Sequence, residues 1–240
     1  MNEIRLGVNI DHIATLRNAR GENDPSLLEM AFEVIDGGAD SLTMHLREDR
    51  RHIRDEDVHE IRKHSKVPLN LEMAVTDEMI RFALGLRPKS VCLVPENREE
   101  ITTEGGLDVS SMSSKIKDAV RLFKAEDIKV FLFVEPDRET LKISADTQAN
   151  GVELHTGSYA RNFLHEAARQ RELHRLEDAA HAAKSQGLEL HAGHGLNYVN
   201  TVSMKHIVGL TEVNTGHAII SRALKTGLSR AVSEMKELLR

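Results

Sequence analysis

The stretch Ser41-Leu42-Thr43-Met44-His45-Leu46-Arg47 decides the fold. Side chains alternate across a β-strand, so Leu42, Met44 and Leu46 share one face and Ser41, Thr43, His45 and Arg47 share the other. A parallel strand covered by helices on both sides reads as near-continuous Val, Ile and Leu. This strand is apolar on one face and chemically capable on the opposite one. The pattern recurs along the chain. Over residues 5–11, Leu6, Val8 and Ile10 oppose Gly7, Asn9 and Asp11. Over 69–74, Leu69, Leu71 and Met73 oppose Asn70, Glu72 and Ala74, and over 151–155, Val152 and Leu154 oppose Glu153 and His155. Such strands fit helices outside and a polar, reactive chamber inside.

Working outward, the chain reads strand then helix, repeatedly. Strands are predicted at 5–11, 40–46, 68–74, 90–95, 129–135, 151–155, 189–193 and 212–217. Helices are predicted to begin near Pro25, Arg54, Thr76, Ser113, Asp137, Ala160, Tyr198 and Ser221. Asp24 caps the first of these with Pro25 at its first position, and Gly37 and Gly38 close it. Thr76 and Asp137 cap the third and fifth, and Gly187 ends the sixth. Eight such units, with no linker or composition break, predict a single (β/α)8 TIM barrel over residues 1–240. A doubly wound open sheet is the competitor, but its central strands would carry two apolar faces. Residues 160–186 exceed one barrel helix. They read either as an outer helix with a solvated face, whole or broken into two pieces, or as an excursion that contacts another subunit.

Composition excludes several classes. With 240 residues, 40% hydrophobic and 29% charged, the chain is that of a soluble globular protein. A net charge of −6 argues against a general nucleic-acid binder, and an aromatic content of 3% with no Trp against a base-stacking platform. Cys92 is the sole cysteine, sits in an apolar strand and is expected to pack rather than react. No apolar run approaches the roughly 18 residues of a membrane span, and the charged start, entering a strand almost at once, does not read as a signal peptide. A cytoplasmic location is expected.

In barrels of this kind the site lies at the C-terminal strand ends. Those ends carry Asn9, Asp11 and His12; His45 and Arg47; Glu72; Glu153 and His155; His191 and His194; Asn214 and His217. A lone inward polar residue is commonly a hydrogen-bonded layer of the barrel. Many converging ones are hard to explain as packing, because each buried polar group needs a partner. The loops His191-Ala-Gly-His-Gly195 and Asn214-Thr-Gly-His217 follow strands seven and eight, where glycines and a helix N-terminus cradle phosphate. Arg47, on the inward face with His45, is placed to clamp an anion. The polar run 97–108, with Thr102, Thr103, Gly105 and Gly106, reads as a lid.

The strings Gly7-Val-Asn-Ile-Asp-His-Ile-Ala-Thr-Leu-Arg-Asn-Ala-Arg20, His45-Leu-Arg-Glu-Asp-Arg-Arg-His-Ile53, Asn70-Leu-Glu-Met-Ala74, Val94-Pro-Glu96, Gly193-His-Gly-Leu196 and Asn214-Thr-Gly-His217 closely resemble the pyridoxine 5′-phosphate synthase family. The resemblance spans essentially the whole chain. It implies a (β/α)8 barrel that condenses 3-amino-2-oxopropyl phosphate with 1-deoxy-D-xylulose 5-phosphate, releasing pyridoxine 5′-phosphate, phosphate and water. It also implies no metal or organic cofactor, and a homo-octamer. By the same resemblance His45 and Glu72 accept protons, His194 donates one, and Glu153 stabilises a transition state. Asn9, Arg20, Gly195, Gly216 and His217 would hold the aminoketone phosphate. Asp11, His12, Arg47, His52 and Thr102 would hold deoxyxylulose phosphate. His191 stands where the family pattern leads one to expect asparagine. Two other readings remain open on the residues alone. One is a metal-dependent hydrolase or isomerase using Glu153, His155, His191 and His194. The other is a non-catalytic phosphosugar-binding barrel.

Overall fold

Eight parallel strands close into a (β/α)8 TIM barrel in the computed structural model, which describes residues 3–96 and 105–240. The strands are β1 Arg5–Asn9, β2 Ser41–His45, β3 Leu69–Met73, β4 Ser90–Leu93, β5 Lys129–Val134, β6 Gly151–His155, β7 Glu189–Gly193 and β8 Leu210–Thr215. Each pairs with its sequence neighbour, and β1 closes on β8 with Arg5 opposite Glu212. The apolar faces point outward. Leu6, Val8, Leu42, Met44, Leu71 and Val152 are fully buried in the core cluster shared with the surrounding helices. Each such side chain contributes about 1.5–3 kcal/mol on burial.

The helices are α1 Asp11–Arg20, α2 Leu27–Asp36, α3 Asp55–His64, α4 Asp77–Leu86, α5 Val109–Ala125, α6 Arg138–Asp146, α7 Gly157–Arg161, α8 Glu166–Ser185, α9 His217–Thr226 and α10 Leu228–Glu237. Thr76 and Asp137 cap α4 and α6 as the sequence leads one to expect, accepting from Met79 N and from Glu139 N and Thr140 N. Several expectations need correction. The first strand stops at Asn9, and α1 starts at once, because Asn9 Oδ1 accepts the Asp11 N–H at 2.9 Å and turns the chain. Helix α2 is capped by Ser26, which accepts from Glu29 N at 3.3 Å, so Pro25 lies ahead of it. Helix α5 starts at Val109 rather than Ser113, with Asp108 as its cap. The helix expected near Tyr198 is a 3-10 helix, Thr201–His206. The long segment 160–186 is broken in two, α7 and α8.

The inward faces form layers. The floor, at the N-terminal end, is ionic. Arg5 donates to Glu212 Oε2 at 2.8 Å and Glu189 Oε1 at 2.9 Å, and Lys129 donates to Glu189 Oε2 at 2.8 Å. His191 belongs to this floor. Its ring stacks on Phe131, centroids 4.1 Å apart, and its Nε2 lies 3.4 Å from Glu189. His191 and the neighbouring cations hold the Glu189 carboxyl far below the usual range, against the opposing effect of burial. On one side the interior turns apolar, with Cys92, Val94, Phe131 and Phe133 in contact.

Candidate functional site

Above the floor the barrel opens into a chamber of about 770 Å³ at the C-terminal strand ends. Asn9, Asp11, His12, His45, Arg47, His52, Glu72, Glu153, His194, Gly195, Gly216 and His217 all line it. One of the expected site residues among the described residues does not join them. Arg20 lies at the exposed end of α1, 3.4 Å from Glu22. Thr102 lies outside the described residues, as does most of the segment expected to form a lid.

Asp11 organises one wall. Its Oδ1 accepts the backbone N–H of His45 at 2.9 Å and its Oδ2 the side-chain amide of Asn9 at 2.8 Å. The end of β1 is thereby tied to the end of β2. Asp11, His45 and Glu72 bring one ligand-type atom each within 4.8 Å of one another, and they form the single such cluster among the described residues. The set Glu153, His155, His191 and His194 does not converge, because His191 points to the floor.

The loop after β2 is held by α1. Arg17 pairs with Asp57 at 2.5 Å, and Arg17 and Asn18 both donate to the carbonyl of His52, at 3.2 and 2.8 Å. His52 Nδ1 accepts from Ile53 N at 2.9 Å, so the ring carries its proton on Nε2 when neutral. The Arg47 side chain is 2% exposed, 3.5 Å from Asp49 and 3.9 Å from Glu96. Glu96, which sequence reasoning did not single out as a site residue, lies 3.7 Å from His45 Nε2 and accepts from Glu48 N at 2.9 Å. Burial pushes its carboxyl up, but His45, the Glu48 N–H and Arg47 together outweigh that and hold it down.

Beneath the chamber the carboxylates go the other way. Burial, with Glu153 and Asp11 nearby, raises Glu72 well above the usual carboxylate range, and a bond to Asn9 only partly offsets this. Burial raises Glu153 to about 8, against the bond from Asn214. Cys92, 4.0 Å from Glu153, is buried and its thiol is pushed well up by burial and both glutamates, which fits the packing role expected of it.

Three of the imidazoles, His12, His52 and His194, are lowered. Burial lowers His12 and His52, with His217 adding to the effect on His12. The His12 and His217 rings meet edge to face at 5.0 Å. Burial lowers His194 to about 4, with His155 and Arg161 adding to it. His217 opens α9 directly after Gly216, so the N-terminal N–H groups of a ten-residue helix face the chamber mouth. Phe133 and His155 complete this side of the site. Phe133 lines the chamber itself, and His155 packs behind His194.

A chamber with proton-holding carboxyls, imidazoles lowered by burial and arginine can move several protons around anionic ligands. The comparisons agree in kind. A family model described as "Pyridoxal phosphate biosynthesis protein PdxJ" matches residues 6–240. The chain is 46% identical over 239 residues to a pyridoxine 5′-phosphate synthase of Ehrlichia canis, covering 100% of this chain and 98% of the relative. It is 50% identical over 234 residues to one of Syntrophotalea carbinolica, covering 98% of each. Among solved structures, KGPDC from Streptococcus mutans superposes with a TM-score of 0.66 at 13% identity, covering 99% of both chains. Thiamine phosphate pyrophosphorylase from Pyrococcus furiosus gives 0.64 at 15%, covering 99% of this chain and 96% of that one. These two likenesses show the barrel fold alone. The sequence matches run nearly end to end, and through them the chain belongs to the PdxJ family of pyridoxal phosphate biosynthesis proteins.

Proposed function

We propose that the chain is a pyridoxine 5′-phosphate synthase, condensing 3-amino-2-oxopropyl phosphate with 1-deoxy-D-xylulose 5-phosphate to give pyridoxine 5′-phosphate, phosphate and water. The observation that carries the reading is the convergence of Glu72, Glu153, His45 and His194 on one chamber of about 770 Å³. That volume is in the range of a site for small ligands, about 300–1,000 Å³. Amine addition to a ketone, loss of water, carbon deprotonation, phosphate expulsion and ring closure each need a proton moved at a different place.

The chain's residues divide that work. Glu72, raised by burial, holds its proton more tightly than an ordinary carboxyl, so once ionised it is the stronger base for a carbon-bound proton, and His45 is a second acceptor beside it. Glu153 keeps its proton below about pH 8, so it can donate a hydrogen bond to a developing oxyanion, as a buried neutral carboxyl does. Burial lowers His194 to about 4, and an anionic phosphorylated ligand beside it opposes that depression and loads it as the donor. Asp11, His12, Arg47 and His52 take deoxyxylulose phosphate; Thr102 belongs to the same set by family resemblance. Asn9, Gly195, Gly216 and His217 take the aminoketone phosphate. Arg20 is also assigned to that phosphate by resemblance, though in this structure it sits apart from the chamber, bonded to Glu22.

The reading extends to a cytoplasmic homo-octamer. Leu164, in the turn between α7 and α8, is 90% exposed and Leu224 of α9 is 80% exposed, apolar surface that assembly would cover. The described helices include none long and apolar enough to cross a membrane. The test is direct. Purified protein given both substrates should release inorganic phosphate and form the pyridine chromophore in equal amounts, and neither substrate alone should do so. No turnover with binding of both phosphates intact would leave only a phosphosugar-binding barrel.

A further inference from the structure

His155, at the end of β6, and Glu135, just past β5, have no part in the chemistry assigned so far. Their geometry is specific. The His155 side chain is 1% exposed and its Nδ1 lies 2.6 Å from Glu135 Oε1. An ionised carboxylate can only accept, so Nδ1 carries a proton and donates it. Glu135 is the open end of the pair, at 36% exposure, with Arg175 of α8 3.6 Å away. Arg175 is in turn bonded to Glu172 at 2.7 Å. The bond from His155 holds the Glu135 carboxyl below its usual value, against burial, with Arg175 and the Gly106 N–H helping.

The other edge of the His155 ring is buried. Its Nε2 makes no hydrogen bond among the described residues. It faces His194, whose ring centroid is 4.9 Å away with planes at 66°. Gly157 leaves the gap between them, since a Cβ there would stand 2.4 Å from His155 Nε2 and 3.1 Å from His194 Cδ2. Phe133 leans on both rings, at 5.2 and 6.3 Å. The backbone is bound as tightly. Thr156 donates its N–H to the Gly193 carbonyl at 2.9 Å, and its hydroxyl lies 2.7 and 2.6 Å from the Gly193 and His194 carbonyls. His194 needs this restraint because its φ of 81° is a conformation that side-chain-bearing residues rarely adopt.

We propose that His155, anchored by Glu135, is a positioning residue for His194: the pair holds the His194 ring at the chamber wall and sets how readily that ring takes a proton. The inference rests on the proposed role of His194 as donor. Two rings this close repel when both are charged. The charged groups that bear on them are Glu135, with Arg175 and Glu172 beyond it, and Arg161 of α7 beside His194. Of the two rings, His194 is the one held down, to about 4, by burial and by its neighbours His155 and Arg161. When an anionic ligand arrives, it takes the proton without having to be re-aimed.

Two variants of the full chain test this. His155→Asn keeps a donor where Nδ1 stood and leaves nothing at Nε2. Glu135→Gln removes the anchoring charge at a partly exposed position. Deuterium exchange at the imidazole C2 carbon, read by mass spectrometry without substrate, reports the titration of His194 in an assembly of any size. In His155→Asn the His194 midpoint should rise from about 4 toward the ordinary 6.5. Its kcat should fall by about tenfold or more while both KM values stay within about twofold. Glu135→Gln should move the midpoint the same way with a smaller loss of kcat, and it decides the matter if the first variant does not fold. An unmoved His194 midpoint overturns the proposal, whether kcat falls or not. A shifted midpoint in a protein that never turns over the two substrates upholds the coupling and sinks the functional reading instead.

Discussion

The side-chain amide of Asn214 on β8 donates to Oε2 of Glu153 on β6 at 2.8 Å, reaching across β7. The strand between them offers no obstacle because Gly193 occupies the crossing point. A Cβ at that position would stand 2.1 Å from Glu153 Oε1. Gly193→Ala should therefore break the bond and displace Glu153, costing about 1–3 kcal/mol from the buried group left unpaired. Thermal melting should show the loss, and turnover should drop with it. A variant with native stability and turnover would mean that Glu153 has room to spare.

Glu153 also predicts a pH dependence. Its folded value of about 8 lies above the ordinary 4.5 of an unfolded chain. Between these values the folded state keeps a proton that the unfolded state releases, so stability falls as pH rises through that window. Glu153→Gln stays neutral throughout. Its melting temperature should match wild type near pH 5 and exceed it near pH 9, by about 2–4 °C for each kcal/mol recovered. Parallel melting curves at both pH values for the two proteins would contradict the assignment.

Glu72→Gln keeps the shape of the chamber floor and removes its base. Turnover should fall by about 10²-fold or more, the scale of a positioned acid–base group. Melting should be unharmed, since a buried carboxyl raised well above its usual range gives up little when made neutral. Near-native turnover would remove Glu72 from the mechanism.

Arg47→Met separates the two anion sites. It should weaken deoxyxylulose phosphate by about 1.5–3 kcal/mol, the range for a hydrogen bond to a charged group, and leave the aminoketone phosphate nearly unchanged. Calorimetric titration of each substrate alone reads both numbers. Equal weakening of the two, or loss of the aminoketone phosphate only, would show the sites to be assigned the wrong way round.

Exhaustive chelation should leave turnover intact. The cluster of Asp11, His45 and Glu72 has ligand spacing, yet both Asp11 oxygens already accept hydrogen bonds and the Glu72 carboxyl is raised by burial. A cation there would have to displace a proton and the bonds to Asn9 Nδ2 and His45 N. Activity lost to a chelator and restored by one metal would reverse this.

What the sequence made legible is what a period of two encodes. The polar fronts of β1, β2, β3 and β6 follow from alternation alone, and nearly every residue singled out at a strand end lines one chamber. Side-chain caps such as Thr76 and Asp137 were readable because capping is local. Helix α1 was not, since its start depends on Asn9 turning back on Asp11, and its capping position holds Ile10. The apolar sector at Phe131 and Phe133 hid inside a continuous greasy run, where neither face announces itself. Glu96 and Glu135 flank Pro95 and Pro136 in loops, and only the closed barrel aims them at His45 and His155. Arg20 marks the opposite limit: a place in a matching motif does not bring a side chain into the chamber.

The ionic floor has a kinetic consequence. With Arg5, Lys129, Glu189 and Glu212 bonded together and His191 stacked on Phe131, the vessel is tied across at its base. Among the described residues the chamber is lined from the C-terminal strand ends, so its ligands share that mouth. The ligand seated deepest has to arrive before the one above it, and whatever remains beneath the finished ring waits until that ring departs. Traffic through a shared mouth makes order of arrival and product inhibition properties of the architecture, independent of which side chain performs which step.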